Sequence, residues 1–254
     1  MGGTVEGKRS KDVDVLDCRS HTWRRAAGLT VARKSAKSSF LDGKIYVTGG
    51  GEEESESWGE VLDIKSQTWK PLASPSEKGE VDSDHQVVVL GGRLCVITKQ
   101  KKKYAYDPKE ERWVEDVVGF VGLVEPVITG PCCVIDNVLF AEHGRRIKWY
   151  DSRCGDWLMV EDLSRLYGQR LRKTVTVQLV NHAGKLVIIW HQRTLFMDRR
   201  RIQPDRNIWC AVIRLEKRVD PLGTNIRGHV EQCNAVVYDT YKSFNLLTCQ
   251  SLSM

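Results

Sequence analysis

The feature that most constrains this chain is a residue pair that recurs at fixed spacing. An Asp stands six residues before a Trp four times: Asp17 and Trp23, Asp63 and Trp69, Asp107 and Trp113, Asp151 and Trp157. The Trp positions advance by 46, 44 and 44 residues, and the residue before each Asp is Leu or Tyr. With eight Trp and 17 Asp in 254 residues, about 0.5 such pairs would arise by accident, so four in one frame mark an internal repeat.

A second element falls between the Trp positions. The segments FLDGKIYVTGGG, VLGGRLCVITK, VIDNVLFAEHG and VNHAGKLVIIW each hold an apolar run, a two-residue turn and a second apolar run. The turns are Asp42-Gly43, Gly91-Gly92, Asp136-Asn137 and Ala183-Gly184, the dipeptide chemistry of a tight β-hairpin. One repeat therefore predicts a hairpin, a loop, a third strand ending in Asp, a turn, and a fourth strand opening near Trp. Four short strands in 45 to 50 residues is about the size of one propeller blade. The Asp is expected to accept backbone N–H groups of the turn that follows it. The Trp is expected to fill the wedge between adjacent blades, and Gly after the second strand to permit close backbone approach. Residues 160–172 are expected as a long loop with a helical turn.

At this point the phrases LDCRSHTW, DGKIYVTGG, VLDIKSQTW, YDPKEERW and NIWCAVIRLEK resemble the plant F-box/kelch-repeat family. The resemblance runs from about Val13 to Leu252. It implies an all-β fold, a kelch-type β-propeller of four-stranded antiparallel blades. It also implies a protein-interaction role: family members dock an F-box on a cullin ubiquitin ligase through a Skp adaptor, and the propeller holds the substrate. Because the first repeat is already ending at Asp17, the sequence predicts a propeller lacking its own F-box, which puts Skp and cullin recruitment in doubt. Six blades would need roughly 276 residues, so the expectation is an incomplete ring of about four to five blades. It opens with the last two strands of one blade, and units follow near 38–73, 84–117, 130–160 and 175–236. In the last unit 208–216 and 230–237 are expected as outer strands, and 244–251 as a closing strand. The expected organisation is a disordered tail over 1–12 and one kelch-repeat domain over 13–254.

Composition narrows the function classes. The net charge of +6, from 39 basic and 33 acidic residues, is spread along the chain and does not form the concentrated basic face of a nucleic-acid binder. No apolar run reaches the length of a membrane span or a signal peptide, so no membrane partner is expected and the location reads as cytoplasmic or nuclear. Eight Cys occur without a Cys-x-x-Cys pair, several inside apolar runs, as expected of reduced, buried thiols. Cys18 and His21 give half a zinc site at best, so no metal is expected. Gly49, Gly50 and Gly51 precede Glu52, Glu53, Glu54 and Glu56 with no helix pattern, which argues against a phosphate loop. That acidic run, and the basic runs Lys99, Lys101, Lys102, Lys103 and Arg199, Arg200, Arg201, read as solvated loops.

No catalytic constellation, cofactor motif or metal-ligand set is found, and the chain is read as a non-enzyme with no catalytic, cofactor or metal residues. The expected partner is an unidentified protein bound across the loop face of the blades. Trp58, Lys101, Arg146 and Arg199 are candidate contacts because they are large or charged and lie in loops. Two rival readings are a free-standing kelch scaffold unconnected with ubiquitination and a propeller hydrolase or lyase.

Overall fold

The computed structural model describes residues 1–17, 19–52, 57–75, 85–115, 130–164, 166, 174–192, 194–198, 201–205, 207–221 and 223–237. The chain forms two compact units, Met1–Val118 and Gly119–Met254. The first unit begins with β1 (Thr4–Val5), β2 (Lys8–Arg9), β3 (Asp14–Asp17) and β4 (Thr22–Arg25). Its first full blade is β5 (Lys37–Leu41), β6 (Lys44–Thr48), β7 (Gly59–Asp63) and β8 (Thr68–Leu72). Its second is β9 (His85–Leu90), β10 (Arg93–Thr98), β11 (Lys103–Asp107) and β12 (Arg112–Glu115). The second unit holds a third blade, β13 (Cys132–Ile135), β14 (Val138–His143), β15 (Arg146–Asp151) and β16 (Asp156–Met159). Its fourth contains β17 (Thr174–His182) and β18 (Lys185–Gln192), an inserted hairpin of β19 (Thr194–Asp198) and β20 (Arg201–Asp205), then β21 (Ile208–Asp220) and β22 (Gly223–Val237). All pairings between neighbouring strands are antiparallel and follow chain order. The fold is thus all-β, with four four-stranded blades and a two-stranded half-blade, β3–β4, among the described residues.

Local chemistry dictates the turns. In all four hairpins both turn residues have positive φ: Asp42 and Gly43 at 48° and 75°, Gly91 and Gly92 at 59° and 71°, Asp136 and Asn137 at 49° and 59°, Ala183 and Gly184 at 49° and 77°. These are type I′ turns, whose twist matches that of the strands they join. The repeated Asp closes the other turn as expected. Asp63 Oδ1 accepts the N–H groups of Lys65 and Ser66, both at 2.9 Å, and Asp107 Oδ1 those of Lys109 and Glu110 at 3.0 and 3.4 Å. Asp17 repeats the pattern with Arg19 and Ser20, and Asp151 with the backbone and guanidinium of Arg153. The Ser66 N–H and its neighbours hold the Asp63 carboxyl below the usual carboxylate range.

The four Trp occupy one position in the blade. Each pairs directly across the strand with the Leu or Tyr before the Asp: Leu16 with Trp23, Leu62 with Trp69, Tyr106 with Trp113, Tyr150 with Trp157. Trp69 Nε1 donates to the Ala27 carbonyl and Trp113 Nε1 to the Ala73 carbonyl, both at 2.9 Å. Each acceptor lies four residues beyond the Trp of the preceding repeat, so each indole ties its strand to the exit of the preceding blade or half-blade. Tyr46, Leu72, Leu94 and Tyr106 pack the wedge between the first two full blades, with Trp58 and Trp113 against them. Trp23, in the half-blade, is exposed (69%), and Leu16 is 40% exposed where its equivalents Leu62, Tyr106 and Tyr150 are 5–8%.

Residues 1–12, expected as a disordered tail, instead carry β1 and β2 and are tied to the chain at Arg33. Gly3 N donates to Arg33 O at 2.8 Å and Arg33 N to Ser10 O at 3.0 Å. Gly2, at φ 64°, lets the backbone approach, because a Cβ there would lie 2.7 Å from Arg33 O. The Arg33 side chain is fully buried and ion-paired at 3.0 Å to the equally buried Glu60 on β7. Arg33 also donates to the carbonyls of Gly49, Trp58 and Ser57. Glu60 also accepts from Thr30 N and Oγ1 at 2.6 Å and from Val31 N at 3.1 Å. Burial raises the Glu60 pKa, but the bonds from Thr30, Val31 and Arg33 outweigh it and the carboxyl titrates below its ordinary value.

The fourth blade differs from expectation in length. β21 and β22 continue past 216 and before 230 as one hairpin, paired from Ile208↔Val237 to Asp220↔Gly223. Only Ile208 to Ile213 of β21 also pair with β18, so the remainder extends beyond the blade. Across the extension Glu216 on β21 meets His229 on β22 at 3.0 Å, a cross-strand contact that favours strand over loop. In the 160–172 stretch, Ser164 and Leu166 have helical backbone and Val160, Leu163 and Leu166 are buried. The expected closing strand at 244–251 lies outside the described residues.

Two outcomes follow for stability. Trp113→Phe, which keeps a ring but removes the N–H, should lower the unfolding free energy by about 1–2 kcal/mol, while Trp23→Phe should change it by under about 0.5 kcal/mol in urea titrations. Glu60→Gln leaves Arg33 buried without its counter-charge and should cost about 3–5 kcal/mol. Because the folded-state pKa of Glu60 is depressed, its stabilisation is complete above the unfolded carboxyl's pKa and is lost as pH falls through the folded one. Wild type and Glu60→Gln should therefore converge in stability as the solution is acidified.

Candidate functional site

The antiparallel order sorts the loops of each blade onto two ends. The I′ turns and the Asp turns share one end. At the other lie the connections from second to third strand, and these differ in every blade. Residues 49–58 join β6 to β7, 99–102 join β10 to β11, 144–145 join β14 to β15, and the β19–β20 hairpin stands between β18 and β21. Their charges differ as much: Glu52, Glu53, Glu54 and Glu56 in the first, Lys99, Lys101 and Lys102 in the second, Arg145 in the third, Arg199, Arg200 and Arg201 in the fourth.

The predicted contacts separate on inspection. Trp58 is half-buried, with its ring 5.2 Å from His85 and 5.7 Å from Trp113, so it packs the blade wedge instead of facing a partner. Lys101 is exposed in the turn after β10, where its N–H donates to Thr98 O at 2.9 Å. Arg199, like Glu53, Glu54, Glu56 and Cys18, lies outside the described residues. Arg146 is exposed and lines a groove of about 410 Å³.

That groove exists because the third blade's connection has shrunk to Gly144 and Arg145, an I′ turn at φ 62° and 63° with His143 paired to Arg146. Arg145 N is fixed by Glu142 Oε1 at 2.6 Å. The Arg146 guanidinium lies over the exposed Met159 thioether, Nη1 to Sδ 3.2 Å. The far wall is the segment after β16. Glu161 N donates to Ile226 O at 2.9 Å and Gly228 N to Glu161 O at 3.0 Å, which docks that segment on the β21–β22 hairpin. Arg227 holds Glu161 at 3.1 Å and Asp162 at 3.7 Å. Sequence reasoning flagged Arg146 but missed Met159, Glu161, Asp162 and Arg227. Arg227 lies 66 residues from Glu161 and carries no local signal.

Cys95 and Cys133 sit in this scaffold as apolar residues. Burial pushes the Cys95 thiol up to about 12 and raises that of Cys133 further, so neither is a thiolate nucleophile. Among the described residues no three His, Cys, Asp or Glu side chains converge as metal ligands. No helix among them is long and apolar enough to cross a membrane.

Comparison with known proteins agrees with the blade architecture. The family described as "FKB95, Kelch-repeats domain" matches residues 1–237. Three F-box/kelch-repeat proteins of Arabidopsis thaliana are 50%, 36% and 34% identical over 262, 250 and 232 residues. The alignments cover 100%, 97% and 91% of this chain but 66%, 59% and 57% of those proteins, so the chain spans about three-fifths of their length. Among solved structures, YjhT aligns over 76% of this chain and 72% of its own at a TM-score of 0.48 and 14% identity.

The groove wall has its own test. A Cβ on Gly228 would lie 2.7 Å from Leu163 Cδ2 and 3.1 Å from Ile213 Cγ2. Gly228→Ala should cost about 1–3 kcal/mol by overpacking. Hydrogen exchange should show the amides of Glu161 and Gly228 losing protection while those of β14 and β15 keep theirs.

Proposed function

Since the chain belongs to the FKB95 kelch-repeat family, we propose that it is a protein-interaction module of the kind that presents substrates in F-box/kelch-repeat ubiquitin-ligase receptors. One observation carries the reading. The repeated residues all serve the scaffold: the Asp closes a turn, the Leu or Tyr meets the Trp, and the Trp of the first two full blades reaches a preceding carbonyl. What varies from blade to blade is the second-to-third-strand connection, in length and in charge. A constant frame carrying variable loops at one end is the arrangement suited to recognising another macromolecule.

Binding rather than catalysis is supported by the buried acids, Glu60 and Asp151, whose hydrogen bonds are taken up by the fold. No cofactor or metal enters this reading, and neither nucleic acid nor membrane is its partner. Strand cysteines such as Cys95 and Cys133 without disulfides support a cytoplasmic or nuclear location. A free-standing kelch scaffold is the second reading.

Affinity capture with the whole chain tests this. A protein partner should be recovered by the native chain and lost when residues 99–102 are replaced by Gly and Ser or when Arg146→Glu is introduced. A partner indifferent to both changes would refute the loop-face reading. Skp adaptor and cullin recovered together with the partner would support the ligase connection; the partner recovered alone would favour the scaffold.

A further inference from the structure

We infer that the open edge of β3 takes an added β-strand from another polypeptide, an apolar strand led by Lys or Arg. This edge is a different surface from the variable connections, so it neither needs nor supports the loop-face reading.

In the two full blades of the first unit the third strand is bonded on both sides: β7 by β6 and β8, β11 by β10 and β12. Among the described residues β3 pairs with β4 alone. Val13 O accepts Ala26 N at 2.9 Å, so Val13 and every second residue after it face β4. The N–H and C=O groups of Asp14 and Leu16 therefore point to the other side. The chain touches that side at one rung. Gly2 N donates to Asp12 O at 2.8 Å, as Gly49 N donates to Trp58 O at 2.9 Å beside the β6–β7 ladder. The line of a second strand is thus laid out next to β3, with the rungs at Asp14 and Leu16 open. An open row of this kind is a template for an added strand.

Charge and apolar surface fix the chemistry of the occupant. Asp63 lies directly across from Lys44, and Arg93 Nε stands 3.3 Å from Asp107 Oδ2. Both cations open the second strand of their blade. Asp17 closes the same turn but has no ion pair among the described residues, and Arg24 of β4 acts on its carboxyl only at longer range. The apolar surface is Phe40. It pairs across the strand with Ile45, which packs with Val13 and Leu29 between the half-blade and the first full blade, so Phe40 faces that side. Yet Phe40 is 64% exposed, whereas Val89, at the same place in β9, packs with Leu41 of β5 and Tyr46 of β6. Nothing equivalent to β5 and β6 stands beside β3 among the described residues. An added strand would turn one row of side chains toward Phe40 and set the other beside the exposed Leu16 and Trp23. A cation opposite Asp17 followed by apolar residues repeats the openings KIYV of β6 and RLCV of β10.

A second copy of the chain offers a poorer match. Two β3 edges side by side would bring together Asp12, Asp14 and Asp17 of both chains, and Arg25 is already taken by its own Asp12 and Asp14.

Fluorescence anisotropy on the whole chain provides the test. The probe is a labelled peptide with the β6 sequence DGKIYVT, set against one with Glu in place of its Lys and one with Pro in place of its Ile. The first should bind saturably, and either replacement should weaken binding about tenfold or more. Leu16→Glu and Phe40→Ser, both at exposed side chains, should each weaken it severalfold. Val219→Ser, at a still more exposed apolar residue of the second unit, should leave it unchanged. Hydrogen exchange of the complex should show the amides of Asp14 and Leu16 gaining protection while those of Val15 and Asp17, which face β4, change little. The inference falls if the native chain does not bind the peptide, if the Glu-bearing peptide binds as well as the Lys-bearing one, if Phe40→Ser and Val219→Ser behave alike, or if Asp14 and Leu16 gain no protection. It falls as well if sedimentation shows the chain pairing with itself and Leu16→Glu dissolving the pair, since a second copy then fills the edge. None of these outcomes touches the loop-face reading, whose partner is lost with residues 99–102; their replacement should leave the peptide bound.

Discussion

A sheet of four short strands cannot shield its own faces, and this chain resolves that constraint with tryptophan. The indole covers a broad apolar area and leaves one N–H to be satisfied. In the first unit that N–H finds a backbone carbonyl just past the outer strand of the preceding blade or half-blade, at the same length in both cases. Apolar burial and a hydrogen bond are delivered by one side chain, so each blade is registered against its neighbour. The half-blade shows what happens otherwise. Trp23 has no preceding carbonyl to reach among the described residues, and β3 pairs only with β4, so Leu16 and Trp23 stay exposed where their repeats are covered. The repeat motif is the same; the neighbour makes the difference.

The Arg33–Glu60 pair solves a different problem. The segment between the half-blade and the first full blade has no strand ladder for its backbone groups. Glu60 accepts two of its N–H groups, and Arg33 donates to three carbonyls near the end of β6 and the start of β7. A buried pair is a weak source of net stability, because desolvation offsets its attraction. Its contribution is to fix where the segment runs, and residues 1–12 inherit that order through the backbone of Arg33.

The proposed function rests on what the repeats do not share. In the first three full blades the repeated residues are engaged by scaffold contacts, so the proposed binding surface is the connections at the opposite end of each blade. In the third blade the connection is so short that a groove opens where a longer loop would lie. The long hairpin of the fourth blade closes the far side and neutralises the acids there with Arg227. Loss of loop length on one blade and gain of strand length on the next combine to make one recess.

The sequence alone determined everything that repeats and everything that is local. Type I′ turns follow from Asp-Gly and its analogues, the Asp-closed turn from a carboxylate two and three residues before free N–H groups, and the strand order from both. The boundaries of the four blades were legible for the same reason, since each hairpin turn, and each Asp–Trp pair where present, is read within a few residues. Tertiary structure alone decided the partners of charged residues far apart in the chain. Arg33 meets Glu60 across 27 residues and Arg227 meets Glu161 across 66, and no periodicity encodes either meeting. It also reassigned Trp58 from a binding loop to the blade wedge, and it carried the outer strands of the fourth blade on to Asp220 and back to Gly223. Turn chemistry acts between neighbours in sequence, whereas burial and charge pairing act between neighbours in space, and only folding makes those neighbours known.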